Sequence, residues 1–528
     1  MADDRDDGTP VLVLRAERLR AARKVLVARQ VMVSAAAGEV VAVEGVNGSG
    51  KSTLLAAAAG VLPTGQNGRR PASVGYAPER ADVLPRLALR RWLTGLARTA
   101  GLSREEAAAQ ADELLARIGL AGSGHRPVRE LSRGNVQRAL VAQAFVGPPE
   151  LVVLDEPSGG LDHDGLGRLT AEIRRAAGRS SVVLVARHPT APLPLPAGPS
   201  WRIASGAVAV EARAADTVTL VEVETCDGEI RRVSDLEVPG LLRAALDQGL
   251  AVRRVQPVEY AAEQQDGAAP AAVGTTAAST RPAAASAAET TRGAAAAGMH
   301  HAPAAARRAG GLSRVVHGAA HRARLLTSSQ WFAAPALLYL IVLGILYASQ
   351  AGPLLPAAAF SAALLVPVMS WITVLAHLTD GRLMARAFAA HVGGRGRAHL
   401  AAALATAPFA VVATAVAVAW PAVSQPHPLH GFGALLVKIA VLHLAVALLG
   451  IGVGALLVPP LVERAGWRIC LAAGIFLVLI LFPVSPMRPL LLLATHPAMT
   501  SVAGPVTLLA ATGAVLIAIT TVPASRLP

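Results

Sequence analysis

Two hydrophobic patterns divide the chain. Between about residues 10 and 260, short β-branched runs alternate with stretches of helical periodicity, as in an α/β domain with a mostly parallel sheet. Glu39–Glu44 and Leu151–Asp155 are near-continuous apolar runs of strand length, which strands buried on both faces require. From Trp331 onward the apolar runs lengthen towards the ~20 residues that cross a bilayer. They predict about six spans, at 332–348, 354–376, 400–420, 433–458, 468–483 and 505–522. The fifth is short, and the Pro-rich apolar segment Pro483–Pro497 behind it predicts a re-entrant element. Residues 262–310 are Ala, Thr, Ser, Gly and Pro with few large apolar side chains, so they predict a flexible linker. The expected organisation is therefore an α/β domain at 10–215, an accessory α/β subdomain at 216–261, the linker, and an all-α polytopic membrane domain at 311–528. In the accessory part, Thr217–Glu224 and Glu229–Val233 predict a hairpin turning at Asp227-Gly228. A helix at Leu241–Leu250 and a strand at Ala251–Val258 are expected to follow.

Composition sharpens this division. The 528 residues are 53% hydrophobic and 16% charged, too apolar for an ordinary soluble enzyme. The net charge of +14 comes from scattered arginine rather than basic clusters with aromatics, which argues for a membrane protein with cytoplasmic arginines and against a nucleic-acid partner. Arg382, Arg386, Arg395 and Arg397 follow the second span, Arg464 and Arg468 the fourth, and Arg526 the last. Ser349–Leu354 and Pro421–Gly431 have no Lys or Arg. Both termini and the α/β domain are thereby expected in the cytoplasm, with the lipid bilayer as a partner. The acidic start, Met-Ala-Asp-Asp-Arg-Asp-Asp, predicts no cleaved signal peptide. Two cysteines, Cys226 and Cys470, provide no disulfide framework.

The chemistry is concentrated in the first domain. Gly45-Val-Asn-Gly-Ser-Gly-Lys-Ser-Thr53 fits the phosphate-binding loop, between a strand run and the Ala/Leu helix start at Leu54. Gly45, Asn47, Gly48, Ser49 and Gly50 offer backbone donors to phosphate oxygens, and the helix N-terminus adds its dipole with Thr53 in the first turn. Lys51, one of three lysines in the chain, would reach the β/γ-phosphates, and Ser52 would ligate Mg²⁺. The run Leu151–Asp155 ends in carboxylates about 105 residues downstream of the loop. Asp155 is placed to hold Mg²⁺ through water, and Glu156 to polarise the water that attacks the γ-phosphate. Ser132 can cap the helix that follows Leu131-Ser-Arg-Gly-Asn135. Ser158-Gly-Gly-Leu-Asp162 follows the carboxylates, and His188 follows the strand run Ser181–Ala186.

In this order, together with Gly75-Tyr-Ala-Pro-Glu79, these segments resemble the nucleotide-binding domain of an ABC transporter over about residues 10–210. The resemblance implies a P-loop ATPase fold with ATP and Mg²⁺ as cofactors. It also implies that two such domains pair head to tail, with ATP between the Lys51 loop of one and Ser132 and Gly134 of the other. Asp162 would join the nucleotide contacts, His188 would contact the γ-phosphate, and Glu79 would meet Mg²⁺ or the lytic water. The sequence departs from the family in three places. Glu79 stands where glutamine is usual, Arg133 and Asn135 replace Gly and Gln, and no Phe, Trp or Tyr precedes Tyr76 to stack on adenine. Arg23 or Val25 is left to cover the base.

With one such set of motifs, the chain is expected to pair with a second copy or a related half. Nucleotide domain first and six spans second resembles exporters of the ABC-2 type. The expected function is an ATP-hydrolysing half-transporter in the cytoplasmic membrane exporting an apolar or amphipathic small molecule, peptide or lipid. The alternative is a membrane-anchored ATPase that regulates a partner and carries no cargo. Asp380–His399 is the candidate coupling helix and also reads as a solvated basic loop. Lys438 is expected to snorkel. Gly450, Gly452 and Gly454 suit close helix packing, within the chain or across a dimer seam.

Overall fold

The computed structural model describes residues 10–526 except 22–24, 63–67, 188–192, 214–219, 226–229, 235–251, 258–309, 349–353, 425–431, 459–461, 463–464 and 496–500. The α/β part rests on a six-stranded sheet in the order β4 (Val74–Ala77), β5 (Leu151–Asp155), β6 (Val182–Ala186), β3 (Val40–Glu44), β7 (Gly198–Ala204) and β8 (Ala207–Arg213). The first five are parallel and β8 closes the edge antiparallel. Every residue of β5 and β6 is buried, which explains why both read as unbroken apolar runs. A separate antiparallel ribbon joins β1 (Leu12–Ala21) to β2 (Val25–Ala35). The helices of this part are α1 (Lys51–Ala58), α2 (Leu89–Thr99), α3 (Arg104–Arg117), α4 (Arg133–Ala144) and α5 (His163–Ala177).

The accessory segment, taken by itself, is a three-stranded antiparallel sheet. Leu220–Thr225 lies between Ile230–Ser234 and Val252–Pro257. The expected hairpin and final strand are therefore present. The helix expected at Leu241–Leu250, the linker up to 309, His188, Arg23 and Cys226 fall outside the described residues.

The C-terminal region is helical. Among the described residues, four helices are long and apolar enough to cross a membrane: Leu354–Leu378, Arg395–Pro421, Phe432–Leu456 and Ala503–Val522. The expected first span differs. Ala333–Leu346 is short, and it meets the preceding helix Gly311–Ser329 at a bend of 77°, so the pair makes at most a fifth span. Gly466–Leu481 is apolar but shorter. Behind it, Pro483–Pro497 holds only the short helix Arg488–Thr495 among its described residues. The helix Gly311–Ser329 carries no run of membrane length and had no place among the sequence expectations. It packs against α2, where a Cβ on Gly95 would lie 2.1 Å from His321 Nδ1.

The glycines of Phe432–Leu456 settle one alternative. A Cβ on Gly450 or Gly454 would come within 2.9 and 2.6 Å of the Val366 and Ser370 carbonyl oxygens, and one on Gly452 within 2.8 Å of the Gly513 carbonyl. These glycines serve close packing inside the chain. His443 in the same helix is buried, with Nε2 3.0 Å from Ser361 Oγ.

Candidate nucleotide site

The loop geometry follows from glycine. Gly48 and Gly50 have φ of 80° and 106°, the left-handed region that costs glycine nothing. At Gly50 space also forbids a side chain, since a Cβ would fall 1.9 Å from Val27 Cγ1. Gly50 is the N-cap of α1, so the positive end of that helix opens onto the loop. Val46, Asn47 and Gly48 form its exposed tip. Beside it a cleft of about 700 Å³ is lined by Val25, Gly45, Gly48 and Ser49, within the range of small-molecule sites. Val25, one of the two residues left to cover the base, thus lines this cleft.

Lys51 is buried, and its Nζ donates to the Gly45 carbonyl at 2.9 Å while lying 3.2 Å from Glu156 Oε1. Ser52 Oγ donates to Asp155 Oδ1 at 3.1 Å. Five of the residues picked out by motif therefore converge across 111 positions of sequence: Gly45, Lys51, Ser52, Asp155 and Glu156. Glu156 has φ of 47°, unusual for a residue with a side chain, and its amide donates to Ala186 O at 3.2 Å. Fixing that strained residue to the end of β6 holds its carboxylate, one-third exposed, over the loop lysine. Arg187 Nε and Nη2 both donate to Glu44 Oε1, at 2.9 and 2.8 Å, and clamp the neighbouring strand ends. No motif pointed to that pair.

Asp155 itself favours a cation. Burial first, and the Glu79 and Glu156 carboxylates after it, push its carboxyl up to about 6, against the help of Ser52 and Lys51. A folded pKa above the unfolded 3.8 means the folded chain binds an extra proton between about pH 4 and 6. That stabilisation is complete below about pH 4 and is lost as pH rises through about 6. At neutral pH a buried carboxylate remains beside a hydroxyl, a donor set that suits Mg²⁺. The thermal stabilisation by Mg²⁺ with ATP should accordingly be full at neutral pH and fade below about pH 6. A shift that is constant across that range in differential scanning fluorimetry would contradict the assignment.

Glu79 and Glu156 line a second cleft, of about 570 Å³, with Arg133, Gln137, Ser158 and Gly159. The expected metal or water contact of Glu79 is thus compatible with its position. Ser132 caps α4, accepting from Asn135 N at 3.4 Å, and a Cβ on Gly134 would lie 3.1 Å from Gly160 O. Asp162 caps α5, accepting from Gly165 N at 2.9 Å, and also accepts from Arg138. Its carboxylate is therefore engaged within its own chain.

Residues 28–159 match the protein-family model for the ABC transporter. The zinc import ATP-binding protein ZnuC of Cereibacter sphaeroides is 40% identical over 164 residues, covering 30% of this chain and 65% of that protein. The L-cystine transport system ATP-binding protein TcyN of Escherichia coli is 33% identical over 174 residues, covering 29% of this chain and 70% of that protein. A solved ATP-binding subunit of an ABC transporter aligns at 23% identity with a TM-score of 0.33, over 38% of this chain and 90% of its own. The chain spans 58–65% of the length of the two ZnuC relatives it matches at 40–41% identity. With the motif residues assembled as described, the chain belongs to the ABC transporter family, whose ATPase domains bind ATP with Mg²⁺.

Proposed function

We propose that the chain is one half of an ATP-driven transporter, whose ATPase domain works on a membrane domain in the same polypeptide. The observation that carries this reading is the docking of Gly381–Val392 on the ATPase domain. The Asp82 carboxylate accepts the amides of Arg382 and Leu383 at that helix's start, three residues beyond Glu79. At its other end His391 Nε2 lies 2.9 Å from Gln143 O in α4. One helix thus touches both the segment bearing Glu79 and the helix capped by Ser132. Such a strut would pass closure of the nucleotide site to the candidate membrane helices on either side of it. It supports the coupling-helix reading of Asp380–His399 over a solvated loop, since Met384, Phe388 and His391 are buried.

Within this reading Lys51 and the loop amides hold the phosphates, and Ser52 and Asp155 hold Mg²⁺, which supplies charge neutralisation when bound. Glu156 orients the attacking water. Two copies, or this chain and a related half, share each ATP. Adding the bent pair and Gly466–Leu481 to the four long helices gives the proposed six spans, with ATPase domain and termini cytoplasmic. We read the direction as outward. The order of the fused domains supports export, and the family match at 28–159 stops short of every candidate span. Import by the ZnuC relatives belongs to their own assemblies. Few charges in the long helices suit an apolar or amphipathic cargo.

Asp82→Ala should remove a cap worth about 1 kcal/mol, read as roughly fivefold faster hydrogen exchange at the Arg382 and Leu383 amides with ATP binding unchanged. Unaltered exchange would remove the strut from the account. The cargo is sought by comparing metabolites released by cells carrying wild-type or Glu156→Gln protein. A class of apolar metabolites retained only by the variant is expected. Identical release, with ATPase activity answering solely to a protein partner, would replace transport by regulation.

A further inference from the structure

A cleft of about 400 Å³ opens where the ATPase domain meets two helices of the C-terminal region. Arg70 comes from the segment between α1 and β4, Arg314 from Gly311–Ser329, and Arg397 from the helix Arg395–Leu404. No carboxylate is among the described residues that line it. Arg70 and Arg397 are exposed, whereas Arg314 is 6% exposed, with Nη1 donating to Ala72 O at 2.6 Å. Its Nε has no hydrogen-bond partner among the described atoms.

The Arg314 and Arg397 guanidinium groups converge at one turn. A Cβ built on Gly393 would sit 2.7 Å from Arg397 Nη1 and 3.5 Å from Arg314 Nη1, and one on Gly311 would sit 3.0 Å from Arg397 Nη2. The nearby Glu150 carboxylate accepts from Ala72 N at 2.8 Å, on the residue whose carbonyl Arg314 binds. Two cations held this close, one of them buried, cost free energy unless an anion offsets them. Backbone adds to the same field. The helices Gly311–Ser329 and Arg395–Leu404 both begin at the cleft, behind Gly310 and Gly394, and neither has a side-chain cap. Their positive ends are open to an anion.

We propose that this cleft binds a phosphate-type anion, held by Arg70, Arg314 and Arg397. Guanidinium forks suit phosphate oxygens, and the volume admits a phosphate with a small organic substituent. The anion would join the ATPase domain to both helices and tighten the seam that Asp82 and His391 form nearby. The phosphate can belong to a soluble molecule or to a phospholipid headgroup, because Arg395–Pro421 is a candidate span that starts at this cleft.

The test uses the full-length chain carrying Lys51→Ala, which weakens phosphate binding at the glycine loop. One arm measures equilibrium binding of radiolabelled inorganic phosphate in detergent. The other counts phosphatidylglycerol retained in native mass spectrometry after extraction from phosphatidylcholine–phosphatidylglycerol nanodiscs. Arg397→Gln, an exposed change that spares the buried Arg314, should weaken binding about tenfold in at least one arm, which is about 1.4 kcal/mol. Arg129→Gln, an exposed arginine outside the cleft, should leave both arms unchanged. Loss in the first arm assigns a soluble phosphate and loss in the second a headgroup. Equal binding by the two variants in both arms, or no saturable binding in either, overturns the proposal.

Discussion

Glu156→Gln is expected to lower ATP turnover by about 10²- to 10⁴-fold while leaving ATP binding intact. Glutamine keeps the shape of the side chain and its place over the loop, but cannot accept a proton from the attacking water. The backbone that aims it is independent of the carboxylate: φ of 47° and the amide bond to Ala186 O both survive the change. Lys51 loses its 3.2 Å partner yet keeps the Gly45 carbonyl at 2.9 Å. ATP should therefore accumulate in the variant, and with it the paired form in which each nucleotide is shared. Single-turnover phosphate release and mass photometry measure the two effects. Turnover equal to wild type would show that another group polarises the water.

Lys51→Ala is expected to act on binding instead. The lysine is buried, and its charge-assisted bonds to phosphate oxygens are worth about 1.5–3 kcal/mol each. Its loss should weaken ATP by roughly ten- to a hundredfold or more. It also leaves the Glu156 carboxylate without its cation beside Asp155, whose carboxyl already sits at about 6. The repulsion should raise the Mg²⁺ requirement as well. Equilibrium dialysis with labelled ATP decides, and undiminished affinity would remove the glycine loop from the nucleotide site.

These residues were legible in the sequence because phosphate chemistry constrains backbone and side chains locally. Gly48 and Gly50 are needed for φ, and Asp155 closes a strand whose burial on both faces forces an unbroken apolar run. Four of the expected spans were legible for a similar reason, since hydrocarbon demands long apolar helices. What escaped depends on tertiary neighbours. Asp82 acts as a helix cap for residues 300 positions away, and nothing near it in sequence marks that role. Gly311–Ser329 was hidden because its buried face includes Arg314, His321 and Arg322, which break the apolar pattern. Arg322 is paired with Asp380 at 2.8 Å, and its guanidinium lies 4.3 Å from the Phe388 ring centre, contacts that only the fold supplies. The span expected at 332–348 is likewise only the short helix Ala333–Leu346, set at 77° to Gly311–Ser329.

The central claim is that each ATP is held by the Lys51 loop of one copy and by Ser132 and Gly134 of another. Mixing two inactive full-length variants, Lys51→Ala and Ser132→Arg, before pairing tests it directly. In a mixed pair both lesions fall on one site and the other site is whole. With random pairing, a two-fold symmetric assembly should recover about a quarter of wild-type ATPase activity. If each site is complete within one chain, mixing restores nothing, and the shared-site account fails.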